Sequence, residues 1–203
     1  MEERYIRIND ADIRYIENGT GRAVILLHGR SFNADVWKET RTLEAIADNG
    51  YRAVAFDFPG FGRSSLGKFK SFNRHGVKAL SEFIKAACDE LHIKDAIYLG
   101  ASMGAVAALD FAIENKEYVK GLILVAPVYV DRYGDSLNSI NGIPTLLIWG
   151  KNDQTSPIDN AKLIMDVNKA ADLAYIGERH ACYLDDPELF NKKVTEFIKK
   201  VYI

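Results

Sequence analysis

A chain of 203 residues, 48% of them hydrophobic, is long enough to bury one substantial core and too short for two full domains. Its formal net charge is −2 and it has no polybasic run, so neither nucleic acid nor a membrane is expected as a partner. The first residues carry scattered charges without an apolar signal segment, and the longest apolar runs are only strand-sized. We therefore predict a single domain over residues 1–203 in a cytoplasmic protein.

The chain begins with two short alternating segments, 5–8 and 12–16, whose connection Asn9-Asp10 predicts a β-hairpin. An unbroken aliphatic run then predicts a strand covered on both faces. Further strands and helices follow in alternation. The predicted strands are 23–27, 52–56, 96–99, 121–126, 145–149 and 171–176. The predicted helices are 33–49, 71–92, 104–112, 159–167 and one that starts at Pro187 with Asp186 as its N-cap.

Strands with continuous apolar residues, separated by helices, are typical of a mostly parallel sheet between two layers of helices. The sequence therefore predicts an α/β fold with a twisted sheet of about eight strands, helices on both faces and the antiparallel hairpin at its edge.

One segment combines a strand, a sharp turn and a helix around Gly100-Ala101-Ser102-Met103-Gly104, a G-x-S-x-G match. A strand that turns directly into a helix brings its backbone close to itself, so Gly100 and Gly104 occupy positions where only small residues fit. Ser102 at the apex would be held in a strained conformation with its hydroxyl exposed, as a nucleophile requires. A purely structural turn is the alternative reading of the motif by itself.

Two further candidates follow the last two strands. Functional residues of an open α/β sheet lie at the carboxyl ends of its strands. His180, after the last predicted strand, is placed to act as general base, and Asp153, after the strand before, to orient it. The order Ser102, Asp153, His180 is that of nucleophile, acid and base in α/β hydrolases. A loop histidine without a role is the alternative for His180, and Asp131 is a rival acid.

The loop His28-Gly29-Arg30 follows the first parallel strand, where an oxyanion donor is needed. The backbone amides of Met103 and Arg30 would supply the two donors, so the Arg30 side chain carries no information about catalysis. A position facing the substrate is an open alternative for that side chain. In the loop 57–64 we interpret Asp57 and Ser64 as structural.

Cys88 and Cys182 lie far apart without metal-ligand spacing, which favours two reduced, partly buried thiols. The sequence offers no candidate metal site, and we expect no cofactor.

Taken together, these residues resemble the α/β-hydrolase superfamily. The resemblance rests on an ordered set of segments across residues 23–187: LLHGRSFNADVW, AVAFDFPGFGRS, LGASMG, LLIWGKND and ERHACYLDDP. It implies a Ser102–Asp153–His180 triad with an oxyanion hole made by the Met103 and Arg30 amides.

Within the superfamily, HGRSFNADVW, GYRAVAFDFPGFGRS and HACYLDDP look like the abhydrolase-domain-14 family. That family consists of small lidless hydrolases credited with esterase activity on small aryl esters and with a lysine-deacetylating, acyl-transfer role. At the elbow this sequence departs from that family, since Gly100 and Gly104 follow the general superfamily pattern.

Many members of the superfamily place a helical lid between the two strands that flank segment 128–143. This segment shows no clear helical stripe and is too short for a lid, since two packed helices need about 25 residues at ordinary helix lengths. We therefore expect an open, shallow site, with Tyr129, Arg132 and Tyr133 either at its rim or simply on the surface.

The leading hypothesis is a serine hydrolase that cleaves small, short-acyl carboxylic esters through an acyl-enzyme. A thioesterase, acyltransferase or deacylase with the same triad is one alternative, and a non-catalytic binding protein on a hydrolase fold is another. The expected partner is a small-molecule ester. A homodimer, in which a second subunit covers part of the lidless site, stays an open alternative.

Overall fold

The computed structural model describes residues 1–69 and 77–203. Eight strands form one sheet: β1 (Glu2–Ile8), β2 (Ala11–Asn18), β3 (Ala23–Leu27), β4 (Arg52–Phe56), β5 (Ala96–Ala101), β6 (Val119–Val125), β7 (Thr145–Trp149) and β8 (Ala171–Tyr175). The α-helices of the described residues are α1 (Asp35–Glu39), α2 (Thr42–Asp48), α3 (Val77–Glu90), α4 (Met103–Glu114), α5 (Asp159–Val167) and α6 (Pro187–Val201). Residues 71–76 of the predicted helix 71–92 lie outside the described residues.

The strands are ordered β1-β2-β4-β3-β5-β6-β7-β8 across the sheet. Strand β1 pairs antiparallel with β2 and β2 antiparallel with β4, whereas the pairs from β4 to β8 are all parallel. At the tip of the hairpin Asn9 and Asp10 have φ angles of 50° and 61°, the left-handed turn that matches the twist of paired strands. The predicted mostly parallel sheet with an edge hairpin is confirmed.

Each face of the sheet has its own hydrophobic core. Side chains alternate between faces along each strand, so Ile25 and Leu27 face one core while Val24 and Leu26 face the other. Helices α3, α4 and α5 cover the first core, and α1, α2 and α6 cover the second. The prediction of helices on both faces is therefore confirmed.

The predicted helix 33–49 is wrong in one respect, because the structure has two helices there, α1 and α2. The Thr40 hydroxyl donates a hydrogen bond to the Val36 carbonyl at 2.8 Å, which closes the first helix. Arg41 then has a φ of 58°, so the chain turns before α2 begins. Because the axis changes direction there, Trp37 is buried as expected but Ala47 is only half-buried.

The connection between β6 and β7 also differs from the expectation of a segment without helical character. It forms 3₁₀ turns over Val130–Ile140, interrupted at Gly134, where φ is 50°. Val130, Leu137 and Ile140 are buried in the core beneath it, which explains why these turns form. In the described residues there is no lid domain, as predicted.

The two thiols are more buried than the expected partly buried state, since Cys88 and Cys182 are both fully buried and unpaired. No helix in the described part of the chain is long and apolar enough to span a bilayer.

A buried ion pair lies where the first half of β2 meets the carboxyl end of the antiparallel strand β4. The Arg14 side chain is 1% exposed and its guanidinium is 3.3 Å from the carboxylate of Asp57, which is fully buried. The same guanidinium also donates to Asp35 at 2.6 Å and to Glu3 at 2.8 Å. These contacts tie β1, β2, α1 and the loop after β4 together. They agree with the structural interpretation of Asp57.

We expect Arg14→Met to lower the free energy of unfolding by about 3 kcal/mol, because it leaves the buried Asp57 carboxylate without a cation. Arg7→Met is the matched control, since the Arg7–Asp12 ion pair is exposed and should contribute less than about 1 kcal/mol. Urea denaturation of both variants measures the difference. Equal, small losses would show that Asp57 does not need the cation.

Candidate active site

The turn between β5 and α4 holds Ser102 in a strained conformation, with φ 51° and ψ −110°. A Cβ atom on Gly100 would lie 2.2 Å from the Gly104 carbonyl oxygen. A Cβ on Gly104 would lie 2.2 Å from the carbonyl oxygen of Leu27, at the end of β3. Both neighbours are backbone atoms that cannot move aside cheaply. The structure therefore requires glycine at both positions of the elbow.

Ser102, His180 and Asp153 are joined in one hydrogen-bonded chain. The His180 Nε2 atom lies 2.8 Å from the Ser102 Oγ atom, and its Nδ1 atom lies 2.7 Å from Asp153 Oδ2. An ionised carboxylate only accepts hydrogen bonds, so Nδ1 carries the proton and Nε2 is left to accept from the serine hydroxyl. The Asp153 side chain is 1% exposed and that of His180 is 23% exposed. Of these two side chains, therefore, only the imidazole is in contact with solvent. The rival acid Asp131 is exposed in the 3₁₀ segment, and Asp153 occupies the position beside His180.

The loop after β7 holds Asp153 rigidly. Its other oxygen, Oδ1, accepts backbone amides from Thr155 at 2.7 Å and Ser156 at 3.0 Å. At the start of the loop, a Cβ on Gly150 would lie 2.1 Å from the Arg179 carbonyl oxygen. Gly150 thus lets the two loops that carry the acid and the base touch through their backbones.

The loop after β3 lies directly against Ser102. A Cβ on Gly29 would be 3.8 Å from the Ser102 Cβ atom, so Gly29 and Arg30 border the serine. On the other side Met103 is the first residue of α4, where helical amides have no acceptor within the helix. The two residues expected to supply oxyanion donors therefore flank the serine hydroxyl.

His28 is buried and has a structural environment. Its Nε2 atom accepts the Phe58 amide at 3.1 Å, so its Nδ1 carries the proton and donates to the Gly29 carbonyl at 2.8 Å. Burial lowers the pKa of His28 to about 4, so the ring is neutral. His28 thereby joins the loops after β3 and β4.

Comparisons with known proteins agree with this geometry. The family described as alpha/beta hydrolase fold matches residues 22–139, more than half of the chain. The chain belongs to the α/β-hydrolase family. It is 30% identical to ABHD14B from Rattus norvegicus over 187 residues, which cover 90% of this chain and 88% of that protein. It is 28% identical to ABHD14A from Mus musculus over 192 residues, which cover 95% of this chain and 76% of the relative.

Among solved structures, a predicted CIB-like hydrolase from Thermoplasma acidophilum superposes with a TM-score of 0.92 at 28% identity, and the match covers 98% of each chain. These relatives place the chain in the abhydrolase-domain-14 family of α/β hydrolases, as its motifs indicated.

In this hydrolase the loop that carries His180 is held by a residue that sequence reasoning missed. Asp185 Oδ2 accepts the backbone amides of Glu178 and Arg179, both at 2.9 Å, and its Oδ1 binds the Arg179 side chain. These hydrogen bonds lower the pKa of Asp185 to about 2. The sequence contained one signal for this role, the pair Asp185-Asp186 before Pro187. Only one aspartate can cap α6, so the other is free for a different contact. Asp186 does so, accepting the Leu189 amide at 2.9 Å.

The elbow opens into a cleft of about 680 Å³. Its walls are largely apolar and come from several loops, with Phe32, Val106, Val128 and Tyr183 among the lining side chains. Tyr129 lies at the rim and lines the cleft, whereas Tyr133 is half-buried and its hydroxyl is 3.4 Å from the Val106 carbonyl oxygen. Within residues 1–69 and 77–203 no group of three His, Cys, Asp or Glu side chains is arranged to hold a metal ion.

Gly104→Ala should destabilise the protein although alanine is the better helix former by about 1 kcal/mol. The new methyl group would overlap the Leu27 carbonyl, and overpacking of this kind costs about 1–3 kcal/mol or more. Gly142→Ala is the control, because no atom lies within 4 Å of its Cβ position and only its φ of 83° opposes alanine, at about 1–2 kcal/mol. Thermal unfolding compares the two variants with the native protein. A Gly104→Ala variant at least as stable as the native protein would contradict the close approach.

Asp185→Asn should lower stability in a pH-dependent way. Its folded pKa of about 2 lies below the unfolded value of about 3.9, so the stabilisation is present above about pH 4 and is lost as the pH falls through about 2. The difference in unfolding free energy between native and variant should therefore shrink as the pH is lowered from 6 towards 2. The control is Asp172→Asn, which removes an exposed carboxylate near Lys200. A native–variant difference that does not change with pH would show that the hydrogen bonds to the Asp185 carboxylate do not stabilise the loop.

Proposed function

We propose that this α/β hydrolase cleaves small, short-acyl carboxylic esters through an acyl-enzyme formed on Ser102. The observation that carries the proposal is the chain of hydrogen bonds from Asp153 through His180 to the Ser102 hydroxyl, at the floor of an open cleft. This arrangement removes a proton from a hydroxyl that is otherwise a weak nucleophile.

In the first half of the reaction, Ser102 Oγ attacks the ester carbonyl carbon while its proton passes to His180 Nε2. Both imidazole nitrogens then carry protons, and the buried Asp153 carboxylate stabilises the resulting cation at 2.7 Å from Nδ1. Collapse of the tetrahedral intermediate breaks the ester bond, and the proton on Nε2 goes to the departing alcohol.

The negative charge on the carbonyl oxygen forms beside the elbow, where the amides of Met103 and Arg30 would donate to it. The Met103 amide also lies at the positive end of α4, and both effects favour an anion there. Because backbone amides supply these bonds, they need no side-chain reorganisation as the charge develops.

In the second half, water enters from the open side of the cleft and His180 Nε2 takes its proton. The hydroxide attacks the acyl carbon and forms a second tetrahedral intermediate. Its collapse breaks the bond to Ser102 Oγ, which takes the proton from His180 Nε2, and releases the carboxylic acid. The partial exposure of the His180 side chain, 23%, supports this step, since the base lies at a surface that water reaches.

The cleft supports a small substrate. Its volume lies within the range of about 300–1,000 Å³ typical of small-ligand pockets. No lid domain covers it in the described part of the chain, so a long acyl chain would leave much of its apolar surface in water. Short acyl groups, which need little burial, fit this shape best.

A deacylase that removes acyl groups from lysine side chains is the second candidate. It uses the same Ser102 acyl-enzyme with an amine as leaving group, and the relative ABHD14B is named for a suggested protein-lysine deacylase activity. Hydrolysis of acyl-lysine peptides, measured beside esters with the same acyl group, decides which leaving group the enzyme prefers.

Incubation with a small fluorophosphonate, followed by intact mass spectrometry, tests the proposal. We expect one adduct on the native chain and none on Ser102→Ala, because only a hydroxyl bonded to a base is activated. Ser31→Ala is the matched control, since it removes another hydroxyl from the cleft lining and should keep the adduct.

A series of p-nitrophenyl esters of rising chain length then locates the acyl preference, expected at short chains. The absence of an adduct on folded native protein would refute the acyl-enzyme and favour a binding protein on a hydrolase fold.

A further inference from the structure

Among the described residues, the cleft lining contains one permanently charged side chain. Fourteen of these residues line the cleft, and Arg30 is the one arginine or lysine among them. The lining includes no carboxylate to neutralise this guanidinium. A ligand in the cleft therefore meets one positive charge between largely apolar walls.

The Arg30 guanidinium is not used by the fold. Within the described residues, Arg14, Arg52, Arg63 and Arg179 each bind a carboxylate, whereas no hydrogen bond, ion pair or ring contact involves the side chain of Arg30. Arg30 is exposed, so its charge is hydrated until a ligand replaces the water. An arginine that stabilises no neighbour has no evident structural reason to lie in an apolar cleft.

Arg30 is close in the chain to the backbone that borders Ser102. Arg30 directly follows Gly29, which packs against Ser102, and its amide is one of the two proposed oxyanion donors. The side chain therefore starts from the same backbone that would hold the ester carbonyl oxygen. Arg30 and Ser102 line the same cleft, so a substrate whose carbonyl carbon lies at Ser102 Oγ shares that cleft with the Arg30 side chain.

A second guanidinium lies behind one residue of the cleft lining. Arg132 lies 3.9 Å from the centre of the Tyr129 ring, and that ring lines the cleft. Arg132 also has another interaction within the protein, so Arg30 is the guanidinium left for a ligand.

We propose that Arg30 selects substrates whose acyl group ends in a carboxylate, that is, half-esters of short dicarboxylic acids. The inference rests on the proposed esterase function and names its substrate class. A guanidinium donates two parallel hydrogen bonds to a carboxylate, which fixes the orientation of the acyl chain as well as its charge. The acyl group stays on Ser102 after the alcohol leaves, so this contact acts in both halves of the reaction.

The test compares mono-p-nitrophenyl glutarate with p-nitrophenyl valerate, which have acyl chains of equal carbon number with and without a terminal carboxylate. The measured quantity is the ratio of kcat/KM for the anionic ester to that for the neutral ester, within one protein. Any side chain at position 30 keeps the backbone amide, and the ratio cancels effects that a variant has on both esters. The proteins are the native chain, Arg30→Gln, Arg30→Glu and the control Lys94→Gln, which removes an exposed positive charge before β5, at the other end of the strand.

We expect the ratio to fall about five- to tenfold in Arg30→Gln and further in Arg30→Glu, since a charge-assisted contact in a partly exposed cleft is lost or reversed. Added salt should lower the native ratio and leave that of Arg30→Gln nearly constant. Lys94→Gln should keep the native ratio, because its charge is remote from the cleft.

An unchanged ratio in Arg30→Gln, with native protein active on both esters, would overturn the role of Arg30 and leave the esterase proposal standing. A second result would also overturn the role of Arg30: the native protein prefers the valerate ester of 4-hydroxybenzoate to p-nitrophenyl valerate, and this preference falls in Arg30→Gln. The carboxylate that Arg30 binds would then be on the leaving group. Failure of native protein to form the fluorophosphonate adduct would instead refute the esterase function itself.

Discussion

The site depends on one close approach of backbone to backbone. At the end of β3 the Leu27 carbonyl oxygen lies 2.2 Å from the position that a Cβ of Gly104 would take, and the Gly104 carbonyl oxygen lies 2.2 Å from that of a Cβ of Gly100. This contact lets α4 start directly against the sheet and holds Ser102 at a φ of 51°. The two-layered core on either side of the sheet stabilises the strained turn, because a local rearrangement would have to separate β3 from β5.

Carboxylates that accept backbone amides shape the loops around Ser102. Asp57 accepts the Ala34 and Arg63 amides, Asp153 accepts those of Thr155 and Ser156, and Asp185 accepts those of Glu178 and Arg179. These bonds lie after β4, β7 and β8 respectively. Irregular loops leave amides without partners in regular structure, and a charged acceptor satisfies two at once. Of the three, only Asp153 has an oxygen left for His180. Its carboxylate therefore holds the loop after β7 and also takes part in the candidate triad.

Two arginines, Arg14 and Arg30, lie in opposite environments. Arg14 is buried with three carboxylates around it and holds the first two strands to the loop after β4. Arg30 is exposed in an apolar cleft and contacts no carboxylate among the described residues. One arginine, Arg14, therefore stabilises the fold, and another, Arg30, remains available to a ligand.

The sequence alone determined the fold class, the order of the strands and the identity of the residues that meet at the elbow. Continuous apolar strands, Pro187 after Asp186, and glycine two residues on either side of Ser102 are local signals that depend on backbone sterics and burial. Tertiary structure alone decided the break at Arg41, the 3₁₀ turns over Val130–Ile140 and the role of Asp185. Each of these depends on contacts between residues whose proximity no local pattern encodes: a helix axis that must follow the sheet, buried anchors beneath a surface loop, and a carboxylate that bonds amides six and seven positions back along the chain.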